Sequence, residues 1–156
     1  MPANTTTALD ELVERLGLAV EEEGLPRIAG RIYALLIFEE GPFSLDDLVD
    51  RLNISKASAS SSTRHLIDLG IIERVTKPRD RRDFFRLMQT RRNAFLEGLI
   101  ERRLRFLRTI EQCLEELPPN RDVARERLEM LVRFQRVLQE GFEEIQRRWI
   151  KELEGL

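Results

Sequence analysis

The chain has a single cysteine, a single histidine, one tryptophan and one tyrosine among 156 residues. One cysteine excludes an internal disulfide framework, and lone His and Cys residues leave thiol and imidazole triads without partners. No Cys/His cluster has zinc-ligand spacing, no glycine-rich loop has the pattern of a phosphate cradle, and there is no nucleophile elbow. Catalysis and bound cofactors are therefore not expected. No apolar run approaches the ~20 residues that span a bilayer, and MPANTTTALDE lacks a basic and apolar signal sequence. A cytoplasmic protein with no membrane partner is expected.

What the chain does have is charge, at 35% of residues, with a net value of only −2. The two signs are segregated. Residues 54–92 carry ten Lys or Arg against four acids, a surplus of six, which leaves −8 for the remainder. A basic block in an acidic chain is the local footprint that phosphate binding requires, although the same block also suits a plain solvated face.

Helical periodicity dominates on both sides of that block. Asn4 or one of Thr5 to Thr7 can cap a first helix carrying Leu9, Leu12, Val13, Leu16 and Val20, with Gly24 as its stop. Pro26 opens a second helix through Ile28, Ile32, Leu35 and Leu36, and Gly41-Pro42 breaks it. Ser44 and Asp47 resemble an acidic capping box. From about Thr90 the spacing predicts two long helices broken at Pro118-Pro119. The first carries Leu96, Leu99, Ile100, Leu107, Ile110, Leu114 and Leu117. The second carries Leu131, Phe134, Leu138, Phe142, Ile145, Trp149 and Leu153. A helix of some thirty residues runs about 45 Å, longer than so small a domain, so a partner subunit is expected to cover part of its stripe. Cys113 falls on or beside the apolar stripe, where a small core residue is the expected role. His65 is expected at a helix edge, not in a metal site.

Between these helices lies a compact constellation. SLDDLVDRLN predicts a short amphipathic helix, followed by a tight polar turn and a second helix, SKASASSSTRHLIDLG. Small and hydroxylic side chains fill the first half of that second helix, a surface suited to close backbone approach and to bonds with phosphates and base edges. Ser55 is its expected N-cap. Ala59, Leu66 and Leu69, with position 62 or 63, are expected to face inward. Lys56, Ser58, Ser60, Ser61 and Arg64 then face outward with Ala57, and Lys56 or Arg64 is suited to guanine acceptors. Ile71-Ile72 and Phe84 to Leu87 read as the arms of a β-hairpin, with Lys77 to Asp83 at a basic tip.

Helix, helix, helix-turn-helix, hairpin and long terminal helices together resemble the MarR superfamily of dimeric winged-helix bacterial regulators. The segment from Gly24 to Val75 is similar to its GbsR-type branch. Gly24, Pro26, Arg27, Gly30 and Arg31 match that branch's Gly-x-Pro-Arg-x-x-Gly-Arg start, and Ser55 to Ser58 match its Ser-Lys-x-Ser opening. Asp80-Arg81-Arg82 resembles the Asp-x-Arg tip of MarR-type wings. By this resemblance Arg82 enters the minor groove, Asp80 fixes its guanidinium, and Lys77, Arg79 and Arg81 meet phosphates.

The resemblance implies a mainly α fold with a small β-hairpin wing, a winged helix-turn-helix flanked by dimerisation helices. Its parts are an N-terminal dimerisation helix (1–25), the DNA-binding domain (26–89) and a C-terminal helical dimerisation region (90–156). The implied function is a homodimeric transcriptional regulator, a repressor of a promoter with an inverted-repeat operator in double-stranded DNA, with a small-molecule effector as a possible control. The competing expectation is a winged-helix module that binds protein and not DNA.

Overall fold

In the computed structural model, which describes residues 3–89 and 93–155, helix α1 (Ala3–Glu22) starts one residue before Asn4. Asn4 and Thr5 to Thr7, the expected cap positions, fall within that range. The helix ends by a left-handed turn. Gly24, at φ +90°, donates to the Glu21 carbonyl, and Leu25 donates to Val20, an arrangement favourable to glycine.

Helix α2 (Arg27–Phe38) turns its Ala29, Ile32, Leu35 and Leu36 into the core. Where α2 crosses α1 two glycines meet: a Cβ on Gly30 would lie 2.9 Å from the Gly17 carbonyl oxygen and from the Val20 Cβ. Arg27 and Arg31 flank that crossing and both pair with Glu14, at 3.0 and 2.6 Å. The helix-start motif Gly24, Pro26, Arg27, Gly30, Arg31 thus has a packing logic. It stops one helix, starts the next, and locks the two together at close range.

Strand β1 (Phe43–Ser44) follows, two residues that the sequence pattern did not reveal. Helix α3 (Leu45–Leu52) is closed by a full capping box, with Ser44 Oγ accepting from Asp47 N and Asp47 Oδ2 accepting from Ser44 N at 2.7 Å. It ends at Asn53, whose left-handed φ of 50° makes the tight turn into helix α4 (Lys56–Asp68). Gly70, at φ 72°, turns the chain out of α4 into strand β2 (Ile72–Lys77), which pairs antiparallel with strand β3 (Asp80–Leu87). The sheet order is β1-β3-β2, so β3 is central and β1 ties the wing to the start of α3. Ile32, Leu35, Leu48, Leu66 and Ile72 are fully buried in one cluster that binds α2, α3, α4 and β2 together. Each contributes about 1.5–3 kcal/mol by burial.

Near residue 90 the chain separates into two compact units. The first contains α1 as well as the helix-turn-helix and wing. The second is an antiparallel pair, α5 (Ala94–Glu115) and α6 (Asp122–Glu154), joined through Pro118-Pro119. On α5 the buried Ile100 and Ile110 belong to the expected stripe, but on α6 the seam differs from it. Val132, Gln135 and Gln139 of α6 are buried there, with Ile100 and Ile110 of α5, while Phe134, Ile145 and Trp149 stay exposed. A helix pair covers only one flank of each member, and on α6 that flank is the one bearing the two glutamines. Gln135 Oε1 accepts from Arg103, and Gln139 donates to Glu143. Cys113 is exposed, not core: Ile110 and the half-buried Leu114 take the inward positions around it. Arg91 and Arg92 of the basic block lie outside the described residues.

Candidate nucleic-acid interface

Helix α4 separates its two faces cleanly. Ala59, Ser62, Thr63 and Leu66 are buried, so both 62 and 63 belong to the inner face; Leu69 is only half-buried. Ser55, Lys56, Ala57, Ser61 and Arg64 are exposed, with Ser58 and Ser60 partly so. Ser55 is the N-cap: its hydroxyl oxygen accepts from Ser58 N at 3.1 Å and its proton goes to Ser58 Oγ at 2.8 Å. Ser61 donates to the Ser58 carbonyl at 3.1 Å. A hydroxyl whose proton is used within its own helix turns lone pairs outward, and so offers an acceptor to donors on base edges. Arg64 extends back along the helix, with Nε donating to the Ser60 carbonyl at 3.3 Å. His65 is exposed in the last turn.

The wing is tighter than its sequence suggests. Lys77 pairs with Asp80, so the tip is Pro78-Arg79 alone and residues 80–83 belong to β3. Pro78 presets its φ, while Arg79 sits at φ 65°, a conformation uncommon for a side chain larger than hydrogen. Between the pairs Lys77↔Asp80 and Val75↔Phe84, the single residue Thr76 faces Arg81, Arg82 and Asp83. Such an irregularity re-aims side chains. It brings Asp80 beneath Arg82: the carboxylate accepts from Arg82 Nε at 3.1 Å, from Nη2 at 2.7 Å and from the Arg82 backbone amide at 3.0 Å. The Arg82 side-chain bonds, and then its backbone bond, push the Asp80 carboxyl down to about 2.

Phe84 and Phe85 were not among the expected site residues. The buried Phe84 ring has Lys77 Nζ 4.2 Å from its centroid and the Arg82 guanidinium carbon 5.3 Å away, so two wing cations share one aromatic platform. Adjacent aromatics at a strand end usually signal only core, and here Phe84 supplies both core and support. Lys77 also donates to the Pro42 carbonyl at 3.4 Å, beside β1. Asp47 feels this neighbourhood: its bonds to Ser44 lower its carboxyl below the ordinary value, and Arg82 and Lys77 add to the shift.

These elements converge on an open cleft of about 280 Å³ between α4 and the wing. Lys56, Ser60 and Arg64 line one wall, and Arg74, Arg82 and Asp83 line the other. Of the expected site residues, Lys56, Ser60, Arg64 and Arg82 are thus brought together. Lys77, Arg79, Asp80 and Arg81 stand on the projecting wing, and Ser55, Ser58 and Ser61 on the first turns of α4. Arg74 joins the cleft unexpectedly, paired with Asp83 at 3.2 Å.

A helix-turn-helix followed by a hairpin with a basic tip defines a winged-helix protein, the class that lays its second helix on a duplex. The sequence model of the MarR family matches residues 23–83. Over 119 residues the chain is 35% identical to the HTH-type transcriptional regulator MmpR5 of Mycobacterium tuberculosis, covering 71% of this chain and 70% of that protein. It is 26% identical over 89 residues to the HTH-type transcriptional repressor OpcR of Bacillus subtilis, covering 57% of this chain and 48% of that one. A crystal structure of a transcriptional regulator matches with a TM-score of 0.78 at 26% identity, covering 92% of this chain and 99% of that chain. The chain belongs to the MarR family: it is a DNA-binding transcriptional regulator and not an enzyme. No described helix is long and apolar enough to cross a membrane.

Proposed function

We propose that this regulator is a cytoplasmic repressor that grips an inverted-repeat operator as a homodimer, and that it belongs to the GbsR-type branch. The observation that carries the reading is the cleft, where a hydroxyl-rich helix face and an arginine prepared by Asp80 address the same space. Lys56, Ser58, Ser60, Ser61 and Arg64 take the major groove, with Ser55 holding the start of the helix. Arg82, held by Asp80, enters the minor groove, where focused negative potential favours a guanidinium. Lys77, Arg79 and Arg81 meet flanking phosphates.

Repression is supported by the name of OpcR, a relative described as a repressor. Branch membership is supported by the Gly24 to Arg31 motif and by its packing role at the α1–α2 crossing. Dimerisation is supported by α6, where Met130, Phe134, Val137, Ile145 and Trp149 form an exposed apolar stripe about 28 Å long. On α1, Leu12 and Leu18 are exposed as well. Two-fold symmetry then places half-sites about 10 bp apart or a small multiple of it. An effector, where one acts, works by moving the two recognition helices off that pitch.

Selection of bound duplexes from random DNA, followed by salt titration, tests this reading. A palindromic site is expected, with log K falling by about 0.9 per phosphate contacted for each unit of log salt. Arg82→Ala is expected to cost about 1–3 kcal/mol of binding with the dimer intact. Sites without two-fold symmetry, or a flat salt response, would reject it.

A further inference from the structure

The cleft between α4 and the wing holds carboxylates where a phosphate-binding surface has least use for them. Asp46 and Asp83 line it beside Lys56, Arg64, Arg74 and Arg82. Neither acid is idle. Asp46 Oδ1 lies 2.8 Å from Lys56 Nζ, and Asp83 Oδ2 lies 3.2 Å from Arg74 Nη1. All four side chains are at least half exposed, from 50% for Asp83 to 69% for Lys56, so the pairs hold the fold together very little. A charge in the first turn of α3 does favour that helix, but Asp47 supplies one there already and also closes the capping box.

A duplex carries about one negative charge per 1.7 Å of axis whatever its sequence. An acid in the cleft therefore repels every duplex alike, and a cation already paired with it displaces fewer counterions on meeting a phosphate. Binding to random DNA rests almost wholly on that electrostatic exchange, whereas a preferred site adds bonds at base edges. On a preferred site base-edge bonds fix the register of α4, whereas on a random duplex α4 settles wherever a released cation meets a phosphate, so pairing takes more from the random complex.

We infer that Asp46 and Asp83 are specificity-determining residues, which restrain Lys56 and Arg74 and so hold down the affinity for random duplex. This rests on the cleft being the duplex-binding surface, as proposed above.

The full chain, with Asp46→Asn, Asp83→Asn or both, is titrated across a salt series against a random duplex and against the selected one. Each variant is expected to bind random duplex about five-fold more tightly at low salt, with the slope of log K against log salt steeper by about 0.9. The ratio of selected to random affinity falls accordingly. Adding Lys56→Gln to Asp46→Asn is expected to cancel the gain, because the released cation is gone. Asp83→Asn, far from any helix cap, keeps the test available if Asp46→Asn disturbs α3. A steep wild-type salt response with unmoved variants overturns this inference alone, and so does equal tightening on both duplexes. A flat wild-type response removes the interface and this inference with it.

Discussion

The two units of the molecule handle apolar surface in opposite ways. In the first, Ile32, Leu35, Leu48, Leu66 and Ile72 are sealed from solvent, because three helices and a sheet surround one point. In the second, two helices lie side by side and bury only a narrow seam with Ile100, Ile110 and Val132. Phe134 and Val137 remain 56% and 67% exposed, while two glutamines sit in the seam. The lesson is that exposure of large side chains is not a failure of folding in α6. On the reading proposed above it marks the surface that a second copy covers, whereas the core of the first unit is closed within the chain.

The largest effect that sharpens this contrast is a cavity in the first unit. Leu35→Ala removes a fully buried side chain from the centre of the cluster, and a loss of about 2–5 kcal/mol is expected in urea denaturation followed by circular dichroism. A loss under about 1 kcal/mol would mean that the cluster is not the unit's core. Phe134→Glu should do the reverse. It leaves the chain's own packing nearly untouched, yet is expected to weaken self-association about ten-fold or more in sedimentation experiments. If association is unchanged, the α6 stripe faces something other than a second copy.

The same contrast explains what was legible in the sequence. Turn and cap signals are local, so Gly24, Ser44 and Ser55 mark real boundaries. The inner face of α4 was readable because small apolar and hydroxyl residues alternate there at helical spacing. Strand β1 was not, because Phe43–Ser44 becomes a strand only by pairing with Phe84 and Phe85, forty residues away. The wing tip was drawn too long because the count of residues does not reveal that three on β3 oppose one on β2. On α6 the apolar stripe was read as one face, but which flank meets α5 is a tertiary choice and fell on Val132, Gln135 and Gln139. For the site, the motif residues were visible and their supports were not: Phe84 beneath the wing cations and Arg74 in the cleft depend on strand register.

Exposure also means something different at the wing than on α6, and the smallest predicted effect separates the two. Arg82 is exposed and Asp80 partly so, yet they are already ordered by each other, through bonds from Arg82 Nε and Nη2 and from its backbone amide. Arg82 draws the Asp80 carboxyl from its ordinary 3.8 down to about 2. A carboxyl lowered in this way favours the folded wing at all pH values above 3.8, and that contribution fades as pH falls through about 2. Carbon-13 NMR of the Asp80 carboxyl is therefore expected to show its midpoint near 2 in the wild-type chain. In Arg82→Ala the midpoint is expected to move up toward 3.8, held back by the residual backbone amide and the Lys77 charge. The same midpoint in both proteins would mean that Arg82 is not held at the wing tip before DNA arrives. Its grip would then have to be organised by the groove itself, at an entropic cost that the Asp80 contact otherwise removes in advance.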